Sequence, residues 1–123
     1  MDFAIPKMNA DIKALWVQAL RSGEYQQGCR YLRGKDNTFC CLGVLEDILR
    51  PQTGQIWELA GDEYLIGEDE WGSLTQKTQE LAQLAGQPKV QHVNGRWGYE
   101  FLANLNDTGT DFATMADIIE AQL

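Results

Sequence analysis

The sequence predicts an α+β fold, built as one small domain of four to five helices and two or three short antiparallel β-hairpins. The chain has 123 residues, and 44% of them are hydrophobic, which is enough for a single domain with its own core. Helix-like and strand-like apolar patterns alternate along it. No strand–helix–strand unit with a long parallel crossover is evident, which favours the α+β class. The domain is predicted to span residues 1–123, with residues 1–8 flexible.

The first predicted helix runs from about Asn9 to Ser22. Asn9 is a suitable N-cap, and Gly23 is suited to end the helix. Apolar residues follow at the spacing of one helical stripe, which predicts that this stripe packs on the rest of the domain. Its members are Ile12, Leu15, Trp16, Ala19 and Leu20.

A hairpin and a second helix are predicted to follow without a break. The segments CRYLR and NTFCC flank a short GKD turn, and the second arm leads into CCLGVLEDILR. This helix is expected to end at Pro51, because proline disrupts a helix interior. Gly43 inside it costs roughly 1 kcal/mol relative to alanine. Such a glycine indicates close packing against another backbone.

The middle of the chain contains a second hairpin and a third helix. QIWEL and EYLIG flank a turn at Gly61 and Asp62. The helix is predicted from about Ser73 or Thr75 to Ala85, ending at Gly86. Its inward residues are predicted to be Leu74, Leu81, Leu84 and Ala85.

A third hairpin and two helices complete the predicted fold. KVQHV and RWGYE are separated by Asn94–Gly95, which is the preferred sequence for a type I′ turn. A short helix is predicted from about Glu100 to Asn106. The last helix is predicted over about Asp111–Gln122, with Thr110 as its N-cap. Its predicted buried stripe is Phe112, Met115, Ala116 and Ile119.

The charge of the chain is concentrated in its second half. Residues 1–60 carry seven basic and seven acidic groups, whereas residues 61–123 carry three basic and eleven acidic groups, so the second half holds the net charge of −8. Direct binding of nucleic acid is not expected, because that binding depends on neutralising phosphates with a basic face. An acidic surface instead suits solubility or a protein partner with a basic surface.

The strongest acidic run gives a candidate partner-binding site. Its residues are Asp62, Glu63, Glu68, Asp69, Glu70 and the neighbouring Trp71. The run lacks the ligand spacing of a calcium loop, so no metal is predicted there. The alternative is that these side chains form only a solvated loop.

The basic cluster of the first hairpin gives a second candidate site. Arg30, Arg33 and Lys35, with Tyr31 between them, could hold a small anion or a nucleotide phosphate through arginine forks and tyrosine stacking. Trp97 is the tryptophan assigned to this site. Arg30 and Arg33 would face opposite sides of a regular strand, which favours ordinary surface charge.

The cysteines and the single histidine give the weakest case for chemistry. Cys40 or Cys41 with His92 could form a nucleophile pair, but cysteine is often a buried, small apolar residue. Cys29, Cys40, Cys41 and His92 lack the paired spacing of a zinc site. Three cysteines also argue against a disulfide framework and favour a reducing, cytoplasmic compartment. No secretory signal, transmembrane segment or nucleotide-binding or hydrolase motif is visible.

Four segments resemble a family of small phage and prophage proteins without an assigned activity. They are WVQALRSGEYQQG (16–28), FCCLGVLEDIL (39–49), WGSLTQKTQELAQLAG (71–86) and LANLNDTGTDFATMADIIE (102–120). In this resemblance the chain departs at Glu46, where members often carry a cysteine, and at Thr75, where they often carry a proline. The resemblance implies a phage-type protein in a bacterial host cell but transfers no chemistry.

Three functions follow as hypotheses. The first is a small acidic accessory protein that binds a host protein with a basic surface and inhibits it, as an anti-defence factor would. The alternative is a binding module that sequesters a small anionic or nucleotide ligand. The third is a small enzyme that uses a cysteine and the histidine. No cofactor, catalytic residue or membrane association is predicted. Asn106 and Asp107 fit a helix-ending turn and could instead line a site.

Overall fold

The protein is a small α+β domain, described by a computed structural model over residues 7–67, 72–91 and 98–123. These residues form five helices and seven short strands. The helices are α1 (Ala10–Arg21), α2 (Cys41–Thr53), α3 (Gln76–Ala82), α4 (Leu102–Asp107) and α5 (Phe112–Gln122). The strands are β1 (Gln26–Gln27), β2 (Arg33–Gly34), β3 (Thr38–Phe39), β4 (Trp57–Ala60), β5 (Glu63–Ile66), β6 (Lys89–Gln91) and β7 (Tyr99–Phe101).

Five of these strands form one mixed sheet in the order β1-β3-β2-β5-β4. The first two predicted hairpins are present as β2–β3 and β4–β5, and β2 joins them by pairing with β5. The chain before β2 adds a strand that was not predicted, because β1 pairs with β3 in parallel. β6 and β7 form a separate antiparallel pair, whereas the predicted turn at Asn94–Gly95 lies outside the described residues.

The core lies between the helices and one face of the five-stranded sheet. α1 packs on α5 and on α2, and α2 contacts α3, α4 and β3. Trp16 of α1 is completely buried, and its indole N–H donates to the Cys41 carbonyl at 2.9 Å. The first helix therefore fixes the start of the second.

The predicted start of α1 is confirmed, but its apolar stripe is partly wrong. The Asn9 side chain accepts a hydrogen bond from the backbone N–H of Ile12 at 3.0 Å, as an N-cap does. Leu15 is exposed and Val17 is buried in its place. α1 contacts both α5 and α2, and its buried surface includes Val17 beside the predicted stripe.

α2 continues past Pro51, so the predicted end of this helix is wrong. Pro51 lies within the last turn, and the helix ends only at Gly54, which has a φ of +74°. Proline removes its own N–H bond to the carbonyl four residues earlier, but the residues after it can keep helical dihedral angles. The backbone N–H of Gly54 donates to the Arg50 carbonyl at 2.9 Å, and this left-handed glycine provides the termination.

Gly43 is the point at which α2 touches the first hairpin. A Cβ built on Gly43 would lie 1.7 Å from the Leu32 carbonyl oxygen. The same carbonyl accepts a hydrogen bond from the Cys40 N–H at 3.2 Å. The predicted close packing of this glycine against another backbone is confirmed, and only glycine fits the position.

The ends and faces of the later helices differ in detail from the prediction. α3 ends at the left-handed residue Gln83 rather than at Gly86, and it buries Thr78 and Ala82, whereas Leu81 and Leu84 are half-buried and Ala85 is exposed. α4 begins at Leu102 because β7 still includes Glu100. The N-cap of α5 is Asp111 and not Thr110, since the Asp111 carboxylate accepts from the Thr114 N–H at 2.8 Å. All four predicted α5 core residues are buried.

Candidate functional site

The Arg33 side chain is half-buried and lies among aromatic rings. Its guanidinium carbon is 4.0 Å from the ring centroid of Tyr64, and it is 5.4 Å and 5.7 Å from the rings of Phe39 and Trp57. Cross-strand pairing places these groups on one face of the sheet, because Arg33 pairs with both Phe39 and Tyr64. We call these four residues the Arg33 cluster.

Arg33 also donates two hydrogen bonds within its own hairpin. Its Nε and Nη2 atoms donate to the Asn37 side-chain oxygen at 3.1 Å and 2.6 Å. Asn37 holds this position with a left-handed backbone, at a φ of +63°. The aromatic contacts and the two hydrogen bonds hold the guanidinium against the hairpin. Because two of its N–H groups already bond to Asn37, the guanidinium is poorly placed to bind an anion through two parallel hydrogen bonds.

Asp47 of α2 anchors the edge of the Arg33 cluster. It accepts hydrogen bonds from the Tyr25 hydroxyl at 2.6 Å and from the Trp57 indole N–H at 2.8 Å, and Arg50 lies 3.6 Å away. Tyr25 meets Phe39 edge to face at 4.9 Å between ring centroids. A single carboxylate therefore joins α2, the segment before β1 and strand β4.

The Tyr25–Asp47 contact predicts a stability loss at alkaline pH. Burial and the Asp47 carboxylate raise the pKa of Tyr25 well above its ordinary value of 10.0. A pKa that is higher in the folded state gives stability that is complete below pH 10 and declines above it. We expect the urea midpoint of the wild type to fall more between pH 9 and pH 11 than that of Tyr25→Phe. Equal falls in both proteins would contradict this role for Tyr25.

The other members of the predicted anion site are dispersed. Lys35 forms an ion pair with Asp62 at 3.1 Å, and Tyr31 and Lys35 line a surface groove that also contains the carboxylates of Asp36 and Asp62. The backbone N–H of Arg30 donates to the Asp107 side chain at 3.0 Å, close to the end of α4. Trp97 lies outside the described residues. The structure therefore brings Tyr31 and Lys35 together but does not gather the two arginines with them.

The two adjacent cysteines are core residues, as predicted. Cys40 and Cys41 are buried, and Cys29 is exposed. Burial raises the pKa of the Cys41 thiol far above its ordinary value, which keeps it protonated and poorly nucleophilic. The Cys41 thiol lies 3.8 Å from the Leu102 carbonyl. His92, the proposed partner of a cysteine nucleophile, lies outside the described residues.

Asn106 is the centre of a buried polar network. Its side-chain oxygen accepts from the Gln27 amide at 2.9 Å and from the Cys41 backbone N–H at 3.1 Å, and its amide donates to the Gly28 carbonyl at 2.8 Å. Gln27 in turn donates to the Thr110 carbonyl at 2.7 Å and accepts from the Phe112 N–H at 3.0 Å. These bonds join β1, α2, α4 and α5, which is a structural role for Asn106.

Glu46 and Thr75 contact each other. Glu46 is completely buried on α2, and the Thr75 hydroxyl donates to its carboxylate at 3.3 Å. The Thr75 oxygen also accepts from the Gln55 amide at 3.1 Å and from the Thr78 N–H at 3.3 Å. The Glu46–Thr75 hydrogen bond joins α2 to the N-cap residue of α3.

The β4–β5 hairpin (57–66) exposes both acidic and apolar side chains. Its turn has Gly61 at a φ of +68°, followed by Asp62, as a type II′ turn requires. Glu58 and Asp62 are exposed, and Glu63 is half-buried beside them. Three apolar side chains are exposed on or next to these strands, namely Ile56 (59%), Leu59 (60%) and Leu65 (37%).

The hairpin also forms one wall of an open groove. Gln55, Ile56, Glu58 and Leu65 line it on one side, and the start of α3 lines it on the other. Of the predicted partner-binding residues, Asp62 and Glu63 lie at the hairpin turn. Glu68, Asp69, Glu70 and Trp71 follow it and lie outside the described residues.

No binding site was predicted at Ile56, Glu58, Leu59 or Leu65. The segment IWELA contains one acidic residue, Glu58, between apolar ones, which is compatible with a strand but does not indicate which of its side chains are exposed. What it could not give is the position of β4 at the outer edge of the sheet, which depends on pairing between distant segments.

Two further classes of site have no support in the described ranges. No group of three or more histidine, cysteine, aspartate or glutamate residues among residues 7–67, 72–91 and 98–123 could hold a metal ion. Within the same ranges no helix has the length and apolar character needed to cross a membrane.

Comparison with known proteins places the chain in a family but gives no activity. No curated protein matches the chain, and no solved structure matches it. The family described as a domain of unknown function, DUF8296, matches residues 8–123, which include every helix and strand described above. The chain therefore belongs to the DUF8296 family.

Proposed function

We propose that this protein is a small acidic accessory protein, of phage type, that acts by binding a host protein with a basic surface and inhibiting it, as an anti-defence factor does. The observation that carries the proposal is the β4–β5 hairpin, which combines exposed apolar side chains with acidic ones at the edge of the sheet. Apolar side chains that cluster on a surface are typical of protein-binding sites.

The charge distribution supports a basic partner. The net charge is −8, and eleven of the eighteen acidic residues follow residue 60. Glu58 and Glu63 are acidic groups of the hairpin, and Asp62 at its turn is balanced by Lys35. Such a field accelerates association with a basic protein and suppresses association with acidic ones.

The contacts of the basic cluster favour protein binding over capture of an anion. Arg33 is committed to the Arg33 cluster and to Asn37, and Lys35 is paired with Asp62. Asp36 and Asp62 line the groove in which Tyr31 and Lys35 lie, and their charge opposes a phosphate there. A cysteine enzyme is equally disfavoured, because Cys40 and Cys41 are buried and burial raises the pKa of the Cys41 thiol.

Charge reversal on the hairpin tests the proposal. We expect the triple variant Glu58→Lys, Asp62→Lys, Glu63→Lys to lose a basic protein that the wild type retains from bacterial lysate. Its affinity for the purified partner should fall about tenfold or more at low salt, with a flatter dependence on salt, because steering and local attraction are both removed. Binding is measured by calorimetry at two salt concentrations.

A matched variant separates a local effect from an effect of net charge. Asp11→Lys, Glu24→Lys, Glu80→Lys changes the charge by the same amount at three exposed positions on α1, the loop after it and α3. It should retain the partner, and circular dichroism should show that both variants are folded. Equal capture by all three proteins, or equal loss from both variants, would overturn the proposed site.

A further inference from the structure

We infer that the partner binds by adding an extended segment with alternating basic and apolar residues to the free edge of β4, an inference that rests on the proposed function. β4 is the last strand in the sheet order, so one side of its backbone faces away from β5. Addition of a strand to such an edge is a common mode of peptide recognition, in which main-chain bonds give affinity and alternating side chains give specificity.

The register of the hairpin tells which backbone groups are free. Ala60 and Glu63 flank the two-residue turn and form its closing, hydrogen-bonded pair. Hydrogen-bonded and non-bonded pairs alternate along an antiparallel ladder, so Glu58 also bonds to β5, whereas Trp57 and Leu59 direct their N–H and C=O groups outward. No backbone bond from Trp57 or Leu59 to another part of the described chain is found.

The two faces of β4 specify the side chains of the added segment. Trp57 and Leu59 lie on the face of the Arg33 cluster, and Leu59 is 60% exposed there, so apolar side chains are favoured opposite them. Glu58 lies on the other face beside Leu65 and the exposed Ile56, so a cation with an aliphatic stem is favoured there. A basic residue at alternate positions also discriminates against a second copy of this acidic chain.

A defined peptide tests the inference without knowledge of the natural partner. The probe is the acetylated and amidated heptapeptide Lys-Val-Lys-Val-Lys-Val-Lys, titrated into the isotope-labelled protein. We expect amide signals from residues 56–60 to shift, and the Trp57 and Leu59 amides to gain protection from hydrogen exchange on binding. The amides of Glu58 and Ala60, which already bond to β5, should change little in protection.

Backbone methylation of the probe provides the matched control. The valine series carries N-methyl groups on the three valines. The lysine series carries them on the lysines at positions 3, 5 and 7. Both keep every side chain, but each removes a different row of N–H donors. Antiparallel addition predicts that the valine series binds about tenfold or more weakly while the lysine series binds as the parent does, and parallel addition predicts the reverse.

The outcomes separate this inference from the proposed function. Loss of binding in one series only, with protection at Trp57 and Leu59, supports strand addition. Equal binding of both series, or no shift at residues 56–60 with millimolar parent peptide, overturns it. A dimer that protects these two amides without peptide would place a second copy on the edge and also overturn it. If the lysate partner is still lost from the hairpin variant in those cases, the proposed function stands while strand addition fails.

Discussion

Replacing Gly43 by alanine is expected to lower the free energy of unfolding by about 3 kcal/mol or more, because it overpacks the contact between α2 and the first hairpin. The new Cβ would lie 1.7 Å from the Leu32 carbonyl oxygen, so the backbone of one element has to move. Movement of that carbonyl also breaks its hydrogen bond with the Cys40 N–H. Urea denaturation followed by tryptophan fluorescence measures the change.

Helix propensity alone predicts the opposite result, namely that Gly43→Ala raises the free energy of unfolding. Alanine is preferred to glycine inside a helix by about 1 kcal/mol, so an unchanged or raised stability of Gly43→Ala would show that the close approach does not constrain this position. Gly86→Ala is the matched control. Gly86 has no positive φ and no atom within 4 Å of its built Cβ, and its substitution should change stability by no more than about 0.5 kcal/mol.

Replacing Asn106 by alanine is expected to cost about 3 kcal/mol of stability. The substitution leaves the Cys41 N–H and the Gly28 carbonyl without the partner they have in the wild type, and both are held in or beside the core. Each such group that loses its partner costs about 1–3 kcal/mol. The substitution also removes the hydrogen bond between Asn106 and Gln27, whose side chain accepts from the Phe112 N–H at the start of α5.

Two comparisons make the Asn106 experiment specific. Asn104→Ala removes an exposed amide from the same helix and should change the free energy of unfolding by less than about 0.5 kcal/mol. Gln27→Ala combined with Asn106→Ala should cost less than the sum of the single changes, because both residues belong to one network. Additive costs, or a stable Asn106→Ala protein, would contradict the network.

Local signals were sufficient to predict most of the fold. The Asn9 cap, the Gly61–Asp62 turn and the apolar spacing of α2 and α5 act within a few residues of one another, and the sequence displays them directly. The errors at helix ends also arise locally, because neighbouring residues can offer the same capping interaction. Thr110 and Asp111 can both cap a helix, and only the observed bond to Thr114 decides between them.

Contacts between distant segments could not be predicted in the same way. Gln27 of β1, which pairs with β3 in parallel, also belongs to the Asn106 network, whose members lie up to 85 residues apart. The same holds for the site. The acidic character of Asp62 and Glu63 is visible in the sequence, but the free edge of β4 follows from the order of all five strands. Arg33 looked available for an anion because its aromatic neighbours come from three other strands.

The packing of α1 on α5 has a consequence for how the chain folds during synthesis. Arg21 bonds to Asp117 and Glu120, and the Met8 N–H donates to the Leu123 carbonyl at 3.2 Å, so the first helix finds its partners about a hundred residues later. Until α5 leaves the ribosome, the part of α1 that packs on α5 has no native surface to cover it, although α2 can already contact the helix. Non-local closure of this kind slows folding, and it makes the nascent domain dependent on its last helix for protection from aggregation.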